Sequence, residues 1–167
     1  MPVSTEDVKK LRDETGAGVM DAKRALDEAN GNFDRAKALL RVRGVAAAAK
    51  RAERQTGQGV VESYIHGQGR IGVLVEVQCE TDFVARTDAF RQLARDVAMQ
   101  VAAMNPLGLN PADVPAEHTG TVEENALMTQ AFIKDGSRTI QHLVQEVVAT
   151  TGENVRVARF SRFELGA

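Results

Sequence analysis

The sequence predicts an α+β fold: an N-terminal three-helix bundle, a helical connector, and a core in which a small antiparallel sheet is packed by helices. Three observations carry this. Apolar residues recur at helical spacing over residues 4–54, in runs cut by Gly16-Ala17-Gly18 and Asn30-Gly31. Strict alternation takes over between Val60 and Cys79. The helical period then returns before a last alternating stretch near the C-terminus, an order that suits helices set against a small sheet. The divisions expected from these shifts are 1–44 for the helical module, 45–55 for the connector and 56–167 for the core, which also serves dimerisation.

Each element has its own warrant. Ser4 is a favoured N-cap, Val3 stands where it can staple onto Val8, and Glu6 and Asp7 meet the positive end of the helix dipole, so a helix is expected over Thr5–Glu14. Gly16 and Gly18 supply the backbone freedom for a tight connection. A second helix, about Val19–Ala29, places Met20, Ala22, Ala25, Leu26 and Ala29 at roughly helical spacing. Asn32 caps a third, with Phe33, Ala36, Leu39 and Leu40 on one stripe, and Gly44 is expected to end it. Val45–Gln55 reads as an exposed helical connector, since the Ala46–Ala49 run has high helix propensity and nothing bulky to bury.

In the core, two alternating runs joined through Gly67 and Gly69 predict a hairpin whose buried face carries Ile71, Val73, Val75, Val77 and Cys79. A helix of about 18 residues follows, with Phe83, Phe90, Leu93, Val97, Ala98, Val101 and Met104 on one stripe that can cover the hairpin. Asn105-Pro106 ends it, and Pro111 and Pro115 mark a loop. Residues 121–134 are ambiguous, with a weak helical pattern. Ser137 is expected to cap a helix carrying Ile140, Leu143, Val144, Val147 and Val148, and Gly152 to stop it. Asn154–Leu165 reads as a strand with a register break or bulge. A sheet of three strands is narrow, and its second face invites a second copy.

Composition narrows the chemistry. The 167 residues carry 21 Lys and Arg against 23 Asp and Glu, which disfavours binding of nucleic acid by phosphate neutralisation over the whole surface. The charge is uneven: residues 1–54 hold 12 basic and 9 acidic side chains, and Lys37, Arg41, Arg43, Lys50, Arg51 and Arg54 face only Glu53 along one stretch. That stripe is either a solvated helix face or a docking surface for an acidic protein. The single Cys79 forms no internal bridge. No apolar run approaches a membrane span and the N-terminus lacks a secretory pattern, so a cytoplasmic protein without membrane contact is expected. Neither glycine pair continues as a phosphate-binding signature, and His66, His118 and His142 lack metal-ligand spacing with one another or with Cys79. No enzyme chemistry and no cofactor are expected.

Two independent stretches carry a family resemblance. Thr15-Gly16-Ala17-Gly18-Val19-Met20-Asp21-Ala22-Lys23-Arg24-Ala25-Leu26 resembles the N-terminal signature of the bacterial elongation factor Ts family, and Cys79-Glu80-Thr81-Asp82-Phe83-Val84-Ala85-Arg86 resembles its core motif. Ile71–Glu76 and Phe160–Gly166 match as well, in family order. The resemblance implies a ubiquitin-associated-like N-terminal module and guanine-nucleotide exchange on elongation factor Tu during translation elongation. It implies that Thr81, Asp82, Phe83 and Val84 form a wedge that disturbs the partner's Mg²⁺ site, with Phe83 inserted between helices. It further implies that Val19, Met20 and Lys23 dock on the partner's nucleotide domain and that Arg51 fills a basic docking position. Periodicity by itself instead reads Phe83 and Met20 as core and Lys23 as solvated.

The chain departs from the family pattern in places. Val19 and Ala22 stand where Met and Cys are frequent, and Arg51 where Lys is more usual, which alters hydrogen-bond geometry. The stretch between Pro111 and Phe132 is shorter than in most relatives, and only one copy of the core unit is present. A homodimer through the sheet, in a two-plus-two complex with the partner, would supply both halves; Ser161 offers no thiol to lock it. Two other readings stay open: a non-exchanging interaction module that binds a peptide or ubiquitin-like partner and keeps Phe83 buried, and RNA binding along the basic stripe. The second lacks an aromatic stacking platform, with one Tyr and no Trp.

Overall fold

The structure, a computed structural model, describes residues 3–167. The described residues divide into two compact units that are discontinuous in sequence: 3–54 with Gln145–Asn154, and Gln55–Val144 with Val155–Ala167.

In the first unit, α1 (Thr5–Thr15), α2 (Val19–Glu28) and α3 (Phe33–Arg51) form the expected three-helix arrangement. Ser4 and Asp7 make a reciprocal capping box: Ser4 Oγ accepts from the Asp7 N–H at 3.0 Å, and Asp7 Oδ2 accepts from the Ser4 N–H at 3.3 Å. Gly16, at φ 68°, closes α1 in the left-handed conformation that glycine enters without cost. Val8, Leu11, Ala22, Ala25, Leu26, Ala29 and Ala36 make the core, with Val3, Phe33, Leu39 and Leu40 packed around it. Asn32 caps α3 by accepting from the Arg35 N–H at 2.9 Å.

Gly44 does not end α3. The helix runs through it to Arg51, because glycine tolerates helical angles at a cost of about 1 kcal/mol and the alanines that follow propagate the helix well. The turn that follows it is held by a side chain, since Asn154 Nδ2 donates to Ala52 O at 3.2 Å and to Arg54 O at 2.8 Å. Asn154 itself is buried.

The second unit holds a three-stranded antiparallel sheet in the order β1 (Gln58–His66), β2 (Ile71–Cys79), β5 (Arg156–Glu164). β2 is central, and its Val73, Val75, Val77 and Cys79 are buried on one face. The predicted register break exists: Glu76 pairs with Arg159 and Val77 with Val157, which leaves Ala158 as the extra residue of a bulge.

The long helix expected after residue 82 is two helices. α4 (Asp82–Ala85) is a single turn, and α5 (Asp88–Met104) packs on β1 and β2 through Phe90, Leu93, Ala94, Val97, Ala98 and Val101. Thr87 causes the break: its backbone is extended, at φ −69° and ψ 148°, and its hydroxyl accepts from the Phe90 N–H as the N-cap of α5. Asn105, at φ 45°, ends α5.

The ambiguous stretch contains α6 (Val122–Asn125) and then a short hairpin, β3 (Ala131–Phe132) with β4 (Asp135–Thr139), absent from the expected element order. Buried Gln100 of α5 anchors it. Its Nε2 donates to Gln130 Oε1 at 3.2 Å and Ala131 O at 3.0 Å, and its Oε1 accepts from the Ile133 N–H at 3.0 Å. Ser137 lies within β4 and caps nothing. α7 (Ile140–Thr151) starts later, and Thr139 caps it by accepting from the His142 N–H at 3.3 Å.

Candidate partner-binding site

Thr81 to Val84 form a turn of the second unit that holds one exposed aromatic side chain beside a buried valine. Thr81, in extended backbone directly after buried Cys79 and half-buried Glu80, caps α4 by accepting from the Val84 N–H at 3.3 Å. Its own carbonyl accepts from the Cys79 thiol at 3.1 Å, which ties the turn to the end of the central strand. Val84 and Ala85 are inserted in the core at 4% and 5% exposure. Phe83, between Asp82 and Val84, is 78% exposed, against 0% for Phe90. A phenylalanine on a turn whose neighbours are anchored presents its ring in a defined direction at little further entropy cost.

The periodicity that set Phe83 on the α5 stripe therefore fails at Thr87, and Met104 at the far end is also exposed. Asp82 pairs with Arg86 at 3.0 Å, both side chains well exposed, a geometry that contributes little to stability. The C-terminal end of α4 is held by side chains. Thr87 Oγ1 donates to Val84 O at 2.8 Å, and Arg91 Nε donates to Ala85 O at 3.1 Å. Sequence reading missed both; a threonine–aspartate pair opening a second capping signal inside the helical run was the available clue.

In the first unit, α2 buries Ala22, Ala25 and Leu26 and turns Val19, Met20 and Lys23 outward together. Val19 is 53% and Met20 62% exposed, so Met20 leaves the apolar stripe to which its spacing assigned it. The reason is angular. Ala22, Ala25, Leu26 and Ala29 already make a continuous face, and Met20 is on the far side of it. Arg51 is half-buried at the last residue of α3 and is not on the α2 face.

The sheet's second face is open. Three cross-strand rows line it: Val61, Glu76 and Arg159; Ser63, Leu74 and Ser161; Ile65, Gly72 and Phe163. Val61, Ile65, Leu74 and Phe163 are exposed. Glu76 is paired with Arg159 at 2.6 Å, and that bond, followed by one from Gln78, holds its carboxyl below the usual glutamate value. Among the described residues there is no cluster of three or more His, Cys, Asp or Glu arranged to hold a metal, and no helix long and apolar enough to cross a membrane.

The model of the family described as Elongation factor TS matches residues 34–121. Proteins named elongation factor Ts are similar over nearly the whole chain. That of Syntrophomonas wolfei is 48% identical, the alignment covering 98% of this chain and 91% of its own length. That of Rubrobacter xylanophilus is 44% identical over 99% and 100%, and that of Thermotoga maritima 43% over 99% and 98%. The first alignment spans 194 positions against 167 residues here, so at least 27 of its positions have no counterpart in this chain.

Proposed function

The chain belongs to the elongation factor Ts family of translation elongation factors, and from that premise we propose that it is the guanine-nucleotide exchange factor for elongation factor Tu. It acts by favouring the partner state in which the Mg²⁺ and phosphate contacts of GDP are broken. The observation that carries this reading is the exposure of Phe83 on an anchored turn. A phenylalanine held in water on a fixed turn is suited to insertion into a partner and adds nothing to the stability of its own fold.

The energetics are sufficient. Burying an exposed phenylalanine contributes about 1.5–3 kcal/mol. If that burial is possible only in the nucleotide-weakened state, linkage lowers GDP affinity by the same free energy, a factor of about 10–150. Asp82 adds a negative charge beside the site where the partner holds its cation and phosphates, and Thr81 and Val84 keep the turn in place. Val19, Met20 and Lys23, with Arg51 as a further basic contact, provide docking affinity. A flexible methionine flanked by a lysine suits such a surface. The exchange is binding work and requires no covalent chemistry and no cofactor of the factor itself.

The same reading assigns residues 1–44 to docking, 45–55 to a connector and 56–167 to the core. It places the protein in the cytoplasm with elongation factor Tu and without direct nucleic-acid or membrane contact. The open sheet face, with four exposed apolar side chains and one internally paired charge couple, supports a homodimer and a two-plus-two complex.

The test is release of a fluorescent GDP analogue from elongation factor Tu into excess unlabelled nucleotide, over a range of factor concentrations. Acceleration is expected, and Phe83→Ala should reduce it at least about tenfold while the protein stays folded, as expected for a buried aromatic anchor at an interface. No acceleration by folded wild-type protein would overturn the proposal.

A further inference from the structure

Resting on that exchange reading, we propose that Arg91 is a positioning residue for the Thr81–Val84 turn: from the first turn of α5 its guanidinium reaches back across the α4–α5 break and fixes the direction in which Phe83 points. α4 has four residues, fewer than any helix can sustain by its own hydrogen bonds, so its shape depends on what holds its two ends. The N-terminal end is held by the Thr81 hydroxyl and by the Cys79 thiol on the Thr81 carbonyl. At the C-terminal end Thr87 is fully engaged, donating to Val84 O and accepting from the Phe90 N–H. Ala85 lies one residue beyond Val84 and is buried, and Arg91 Nε donates to its carbonyl at 3.1 Å. The bond is part-buried, and a bond from a charged donor is among the stronger ways to satisfy a carbonyl at the end of a helix.

Arg91 thus spans the one place where the helical ladder is interrupted, joining the turn that carries the exposed phenylalanine to the rigid helix behind it. The Asp82–Arg86 pair cannot substitute, because both groups lie at α4 itself, with no link to α5. Docking through α2 does not involve this bond. Loosening the turn should therefore slow the step that breaks the nucleotide contacts and leave encounter with the partner intact, since small displacements of a positioned group cost far more in rate than in affinity.

The experiment compares the full chain with Arg91→Gln, Arg91→Lys and Arg95→Gln. Three quantities are followed: GDP-analogue release from elongation factor Tu against factor concentration, amide hydrogen exchange, and thermal unfolding. Arg91→Gln should lower the plateau rate about three- to tenfold, the equivalent of one hydrogen bond, with the half-saturating concentration unchanged within about twofold. Its amides at residues 84–87 should exchange about fivefold faster or more, with the rest of the chain unaffected. Arg91→Lys should recover part of both effects, and Arg95→Gln, one turn further along α5, should show neither.

An unchanged plateau, or exchange that rises throughout the chain together with a lower thermal transition, would overturn the assignment. Should wild type fail to accelerate release, the exchange reading falls. The hydrogen-exchange comparison would then still decide whether Arg91 holds the turn.

Discussion

Phe83 and Phe90 stand seven positions apart, two helical turns, and identical spacing arguments apply to both, yet one is in water and the other fully buried. The difference comes from Thr87, whose extended backbone rotates everything before it out of register with α5. Spacing is legible in a sequence; a threonine's choice between helix interior and cap depends on what its hydroxyl finds, and that is tertiary information. Met20 taught the same lesson on α2, where small alanines filled the buried face and left the larger side chain outside. Met20→Ala, with Val19 and Lys23 retained, should raise the half-saturating concentration in nucleotide release about three- to tenfold with little change in plateau, as expected for a peripheral apolar contact. Gln100, a buried polar residue on α5, anchors the β3–β4 hairpin, and nothing in its spacing marks it for that role. Gln100→Ala should cost about 2–4 kcal/mol in denaturant unfolding, because it orphans the Ala131 carbonyl and the Ile133 N–H while leaving a cavity.

At the scale of elements, α1 lies where its signals place it, with Ser4 as N-cap and Gly16 closing it, whereas the caps of α5 and α7 lie at Thr87 and Thr139 rather than at the expected positions. α3 passes the glycine expected to end it, because glycine marks both helix stops and tolerated interior positions. Nothing lies within 4 Å of a Cβ built on Gly44. Gly44→Ala should therefore stabilise α3 by about 0.5–1 kcal/mol, seen as slower amide exchange between residues 41 and 50. α1 and α3 are tied by Glu14 and Lys37 at 2.6 Å, and Lys37 and Lys10 both lie over the Phe33 ring. The bond to Lys37 lowers the Glu14 carboxyl from its ordinary 4.5, and the same bond raises Lys37 from 10.5. The carboxylate's contribution is thus complete above pH 4.5 and lost as pH falls through the depressed folded value; the ammonium's is complete below pH 10.5 and lost as pH rises through the raised one. Thermal unfolding of Glu14→Gln should fall below wild type at pH 7, and the two should converge in acid.

For the whole molecule, the α+β class and the alternation of the central strand were evident from residues 60–79, whereas the β3–β4 hairpin was not. Its strands are too short and polar to show a period, and a buried glutamine holds it. The open sheet face, expected from the narrowness of three strands, carries Val61, Ile65, Leu74 and Phe163. Phe163→Lys should shift sedimentation from dimer to monomer while leaving the thermal unfolding of the dilute protein nearly unchanged, since the side chain is 73% exposed within one chain. The strand order carries a consequence for biosynthesis. β2 has β1 as a hairpin neighbour from the outset, but its other edge waits for β5, and Arg159 meets Glu76 across 83 positions of sequence. The three N-terminal helices can assemble from local contacts while the nascent chain is still being extended, whereas the sheet stays one strand short until its last stretch is made. Throughout that interval an apolar central strand displays an unpaired edge, which makes the newborn second unit the part of this molecule most in need of chaperone protection.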